Sequence, residues 1–196
     1  MVASTRVRIY PPVFVDSLHA FKSLVNLDIA DLPMYHTSIT ILLPALKQKS
    51  LRIAHYDYDF LHCLTLPLLE HLNFWGHGNP YGRDIRKVFL AVADFQRRSA
   101  TSLSSLTMED FSWEDAELFT EHLTATIGIF PDLQSLQLHR VRVDVNLLLQ
   151  ALTYSEGSQF LLPKLTYLGL QPYEQYPTYL SGDLKSMAFS RWWSDK

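Results

Sequence analysis

Apolar positions in this chain recur in one six-residue spacing, an aliphatic residue followed by two variable positions, a second aliphatic, one variable position and a third apolar residue. Full copies are Leu24-x-x-Leu27-x-Ile29, Leu69-x-x-Leu72-x-Phe74, Leu103-x-x-Leu106-x-Met108, Leu133-x-x-Leu136-x-Leu138 and Leu165-x-x-Leu168-x-Leu170. Two partial copies, Val7-x-Ile9 and Leu51-x-Ile53 (with Gln48 at its first position), share the last three places. Alternation at the end of each copy predicts a short strand with both apolar residues on one face. The second apolar positions are 7, 27, 51, 72, 106, 136 and 168, so the intervals are 20, 24, 21, 34, 30 and 32 residues. Intervals of that length hold a crossover, and several read as helices at 3.6-residue spacing. Asp84 to Arg98 places Ile85, Val88, Phe89, Val92 and Phe95 on one face. Ser112 with Asp115 resembles a capping box ahead of Leu118, Phe119, Leu123 and Ile127, and Asp144 is placed to cap a helix bearing Val145, Leu148, Leu149 and Leu152. Asp16 does the same for Leu18 and Phe21, and a last helix is expected from Gly182 to Arg191. Pro67, Pro131 and Pro163, each two residues before the first leucine of a copy, are expected to stop a helix and start a strand.

A strand–helix unit repeated at ~20–29 residues, with looser later intervals, is the pattern of leucine-rich repeats. The expected fold is an α/β leucine-rich repeat solenoid, a horseshoe with parallel strands on the concave face and helices on the convex face, in about six to seven irregular repeats. No Gly/Ser/Pro-rich linker divides the chain; Trp75 to Tyr81 and Tyr154 to Gln159 read as loops within repeats. Residues 1–196 are therefore expected to form one domain. Val7-x-Ile9 opens the array without a polar cap and Trp192-Trp193 comes just after the last helix, so the chain is expected to be a fragment of a longer protein. Tyr173, Tyr176 and Tyr179 gather with those tryptophans at the C-terminal end, where a cap is expected over the alternative of a hydrophobic contact patch.

Composition changes this picture little. The chain has 196 residues, 47% hydrophobic and 19% charged, with a formal net charge of −3, ordinary values for one globular domain. There is no basic footprint for nucleic acid. Cys63 is the only cysteine, so no intrachain disulfide can form, which fits a reducing compartment. The apolar run from Ile39 to Leu46 is far below the roughly 18 residues of a membrane helix. Pro11-Pro12 and Asp16 interrupt the N-terminal apolar stretch before it could act as a signal peptide. A cytoplasmic or nuclear location is expected, with neither nucleic acid nor membrane as a partner.

Residues 64–170 resemble the leucine-rich repeat region of the F-box-type proteins of mushroom-forming fungi. The likeness is carried by Leu64-Thr65-Leu66-Pro67-Leu68-Leu69-Glu70-His71-Leu72, Phe95-Gln96-Arg97-Arg98-Ser99, Leu103-Ser104-Ser105-Leu106-Thr107 and Phe130-Pro131-Asp132-Leu133-Gln134-Ser135-Leu136-Gln137-Leu138. It continues in Leu148-Leu149-Gln150-Ala151-Leu152-Thr153 and Leu161-Leu162-Pro163-Lys164-Leu165; Met187 with Ser190-Arg191-Trp192 is similar to the helix after the last such repeat. The resemblance implies the target-recognition part of a cullin-type ubiquitin ligase receptor. Residues 1–23 contain no F-box, and Tyr10-Pro11-Pro12-Val13-Phe14 does not replace its Leu-Pro-x-Glu-Ile start. Only the capturing half is carried over, and a ligase adaptor is a partner only through an F-box outside this chain.

The candidate site is the polar side of the strands. Alternation places Asn26 and Asp28, Ser50 and Arg52, His71 and Asn73, Ser105 and Thr107, Ser135 and Gln137, and Tyr167 and Gly169 away from the core. Side by side they form a ladder suited to a protein target of unknown identity. No catalytic residue, metal or cofactor is expected. His55, His62, Cys63, His71 and His77 cluster without the spacing of a zinc site, and Cys63 is expected to be a small buried hydrophobe near a helix end. Gly76-His77-Gly78-Asn79-Pro80-Tyr81-Gly82 lacks the Lys-Ser/Thr of a phosphate loop. Glu109 to Asp115 reads as a strand-to-helix loop with acids near a helix N-terminus. The expected function is a non-enzymatic protein-binding module; the alternative is a structural scaffold or degenerate repeat protein with no ligase role.

Overall fold

The computed structural model describes residues 26–29, 41–42, 50–76, 85–111, 113, 115–154, 160–172 and 181–192. Six strands build one parallel sheet: β1 (Asn26–Ile29), β3 (Ser50–Ala54), β5 (His71–Trp75), β6 (Ser105–Glu109), β7 (Ser135–Val141) and β8 (Tyr167–Pro172), in that order. Each lies beside its predecessor, so the sheet grows in one direction. A small pair, β2 (Ile41–Leu42) with β4 (Leu64–Thr65), sits apart from it. A 3-10 segment (His55–Cys63) follows β3, and α1 (Ile85–Ser99), α2 (Ala116–Ile127), α3 (Val145–Leu152) and α4 (Ser181–Trp192) follow β5, β6, β7 and β8. The protein is thus α/β with parallel strands, as parallel pairing requires when a crossover separates each pair.

Register follows the hexads. Leu27, Leu51, Leu72, Leu106, Leu136 and Leu168 stand opposite one another across the sheet, and so do Ile29, Ile53, Phe74, Met108, Leu138 and Leu170. A one-residue slip would turn both rows to the wrong face. From β3 to β7 these side chains are at most 3% exposed, and they merge with the apolar faces of the helices into one core. Phe95, Phe119, Leu123, Leu148 and Leu149 come from α1 to α3, with Phe89 and Phe119 edge to face at 5.5 Å.

The prolines take a different place from the one expected. Each is the second residue of a β-turn that precedes the strand: Leu69 N–H donates to Leu66 O at 3.2 Å, Leu133 N–H to Phe130 O at 3.1 Å and Leu165 N–H to Leu162 O at 3.1 Å. Proline's fixed φ suits that position and its missing N–H leaves no gap. Entry to the strands then repeats. Glu70 O accepts from the N–H groups of Ser104 and Ser105, Ser104 O from those of Gln134 and Ser135, and Gln134 O from those of Thr166 and Tyr167, all at 2.8–3.0 Å.

Helix boundaries depart from the sequence reading in one cap. Asp115, not Ser112, is the N-cap of α2 and accepts from Leu118 N–H at 2.9 Å, so the helix starts later than a Ser112 box would place it. Asp144 caps α3 as expected, accepting from Leu147 N–H at 3.0 Å. Trp75 closes β5 rather than opening a loop. Cys63 ends the 3-10 segment and is half-buried rather than buried. Val7-x-Ile9, the Asp16 helix, Leu24, Gln48, residues 77–84, Tyr173, Tyr176, Tyr179 and Trp193 lie outside the described residues.

Candidate functional site

The variable residues of each hexad align in straight rows across the sheet, and from Ser50 onwards they lie opposite the core. One row runs Asn26, Ser50, His71, Ser105, Ser135, Tyr167, and the next Asp28, Arg52, Asn73, Thr107, Gln137, Gly169. Every residue proposed from the sequence therefore sits in register beside its neighbours. Parallel strands about 4.8 Å apart spread six such positions over roughly 24 Å. Ser50, Arg52, Asn73, Ser105, Thr107, Ser135 and Gln137 are half-buried, whereas His71 and Tyr167 are exposed.

A third row extends the face. Trp75, Glu109, His139 and Gln171 stand opposite one another, one alternation beyond the hexads. Sequence reasoning stopped at the last apolar residue and assigned Glu109 to an acidic loop, but it is the final residue of β6. The signal was present: continuing the period of two for two more residues reaches all four positions.

These rows are wired into two groups. Towards the early strands, Glu109 accepts from Arg52 Nη2 at 3.3 Å and from Asn73 Nδ2 at 3.1 Å, and the Arg52 guanidinium lies 5.1 Å from the Trp75 ring. Glu109 neutralises Arg52, so this group offers fixed polarity without net charge. Towards the later strands, Gln137 Nε2 donates to Ser135 Oγ at 3.2 Å, and the His139 ring nitrogens lie 3.1 Å from Gln137 Oε1 and 3.3 Å from Gln171 Oε1. Tyr167, 54% exposed, folds over Gly169, where an added Cβ would come within 3.1 Å of the ring. Such a surface presents aromatic area, hydroxyls and amides, groups that bind protein by contact and hydrogen bonding.

Just past the third row the backbone is anchored. Asp110 and Arg140 both adopt left-handed backbone, φ 60° and 51°, and Arg140 grips Asp110 with two bonds of 2.5 and 2.7 Å. Arg140 is also where β7 slips register against β8. Among the described residues no group of three His, Cys, Asp or Glu could hold a metal ion, and no helix is long and apolar enough to cross a membrane. Among the described residues, His62 and His71 each approach a single acid, Asp94 and Glu70, at 4.0 Å.

Compared with known proteins, the chain matches no family model, and no curated protein or solved structure is significantly similar to it.

Proposed function

We propose that this protein is a non-enzymatic protein-binding module, a leucine-rich repeat solenoid that holds a protein target against the polar face of its sheet. The observation that carries this reading is the straight register of polar rows across six parallel strands, opposite a continuous apolar core. Repetition of the proline turn and of the two-donor carbonyl contact supports the repeat assignment. Curvature follows from spacing: strands ~4.8 Å apart joined one-to-one to helices ~8–10 Å apart bend the array with the strands inside. The polar rows then line the concave side, the surface such arrays use for binding. By its resemblance to fungal F-box proteins the module acts as a target-recognition arm, and it reaches a ubiquitin ligase only through an F-box supplied outside this chain.

Affinity capture from native extract, with Arg52→Glu, Asn73→Lys, Thr107→Lys and Gln137→Lys combined in one variant, tests the reading. The wild-type chain should retain a defined protein that the variant loses while keeping its circular dichroism. Retention of the same protein by the variant would contradict the assignment of the face. Ligase subunits captured along with the target would extend the reading to ligase attachment.

A further inference from the structure

Where the turn before β8 meets the end of α4, the surface folds into a cleft of about 190 Å³. Phe160, Pro163, Leu165 and Trp192 form its apolar walls, Lys164 and Arg191 bring two cations to it, and no acid is among its lining residues. The two cations differ in how they are compensated. Lys164 is paired with Asp132 at 2.5 Å. Arg191 bonds only to carbonyl groups among the described residues: its Nε donates to Leu152 O at 2.5 Å, its Nη1 to Leu162 O at 2.9 Å and its Nη2 to Leu161 O. A guanidinium has five N–H groups, so one on each terminal nitrogen is uncommitted. Desolvation pulls the Arg191 pKa below its ordinary value, and no carboxylate offsets it. A half-buried cation without an anion is costly, and this one stands in the wall of a cleft. The walls are held in place. Trp192 Nε1 donates to Leu165 O at 3.2 Å, and the Arg191 guanidinium lies 4.7 Å from the centre of the Phe160 ring. That ring is itself edge-on to Tyr154 at 5.1 Å.

We propose that this cleft binds an aromatic carboxylate, with its anionic group beside Arg191 and Lys164 and its ring against Phe160 and Trp192. Charge selects the anion, and because only Arg191 lacks a counter-charge, a single negative charge is the match. A planar guanidinium with free N–H groups suits the two oxygens of a carboxylate. The rings select an aromatic body, which packs against them by edge or by face. With the side chains already fixed by hydrogen bonds, binding orders little of the protein, which favours a small ligand. The same chemistry reaches the cleft from two sources, a free small molecule or the last residue of a peptide chain that ends in an aromatic side chain. None of the lining residues belongs to the three polar rows, so the site stands apart from the protein-binding reading.

The test is an NMR titration of the isotope-labelled full chain, read at the Trp192 indole N–H, whose signal is assigned by its loss in Trp192→Phe. Benzoate probes the free small molecule and N-acetylphenylalanine the chain end. N-acetylphenylalanine amide and benzylammonium are their uncharged and cationic counterparts. At low ionic strength at least one carboxylate should shift the signal saturably with a Kd of about 1 mM, and the tighter of the two names the source. The counterparts should bind about tenfold more weakly or worse, as the loss of one charge-assisted bond implies. Arg191→Gln should abolish the saturable shift. If that variant fails to fold, Lys164→Met decides, with a Kd about threefold higher, since it removes one cation and leaves Asp132 unpaired nearby. No saturable shift with either carboxylate, equal binding of the amide, or a Lys164→Met chain that binds as tightly as wild type would overturn the proposal.

Discussion

At Gly76 a side chain has nowhere to go: an added Cβ would lie 2.2 Å from the carbonyl oxygen of Asp110, while Gly76 N–H donates to Glu109 O at 2.7 Å. Backbone cannot yield as a side chain can, so Gly76→Ala should lower unfolding free energy by about 2 kcal/mol or more in urea titration. An effect within experimental error would mean that the two segments are not in contact. Ala100 poses the reverse case. It follows α1 with φ 47° and donates to Gln96 O at 2.8 Å, a left-handed helix stop that glycine fills without strain. Ala100→Gly should stabilise by up to ~1 kcal/mol, raising Tm by about 2–4 °C in calorimetry. Lys164 beside Asp132, by hydrogen bond and by charge, holds that carboxylate below its ordinary 3.8. The pair therefore acts fully above the ordinary carboxylate range and is lost as pH falls through the lowered folded value. Lys164→Met should raise the Asp132 titration midpoint seen by NMR, and an unmoved midpoint would exclude the pair in solution. None of these three features is legible in the sequence, because each depends on a residue at least four positions away or on a backbone angle.

The elements are where sequence and structure agree best, and the reason is physical. Strand register was readable because both apolar positions of each hexad must face one core, and α1 and α3 because their apolar faces repeat over two turns or more. The start of α2 was misplaced because Ser112 and Asp115 are both competent caps, and only the path of the chain chooses between them. The proline turns were missed for a similar reason: a proline that ends a helix and one that takes the second position of a turn look alike in sequence. Buried polar anchors left no pattern at all. Ser99 Oγ accepts from Leu66 N–H at 3.0 Å, and Thr120, wholly buried, donates to Ala116 O at 2.7 Å and accepts from Asp144 N–H at 2.9 Å. Asp115→Ala and Asp144→Ala should each lower stability by about 1 kcal/mol. The Asp144 change should also loosen α3 in hydrogen exchange, and equal protection in variant and wild type would place the cap elsewhere.

Across the described residues, one side of the sheet packs into the core and the other carries the polar rows. Between β3 and β7 the inward rows are closed off from water, so changes there act through the fold; Leu136→Ala should cost about 2–5 kcal/mol. Changes on the outward rows leave that core untouched, so under the proposed function they should act mainly on binding. Of the candidate site, alternation within the hexads reached two rows of the three, and the third lay just past the last apolar residue, where the pattern stops signalling. The sequence also could not foresee that Glu109 would cancel the charge of Arg52 from a strand 57 residues away. The most direct measurement is site-specific photo-crosslinking in native extract, with the probe at Asn73 or Thr107 on the polar face and at Leu90 or Glu121 on the helical side. The account predicts a discrete protein adduct from the first pair and none from the second. Adducts from the helical positions with none from Asn73 and Thr107 would contradict it.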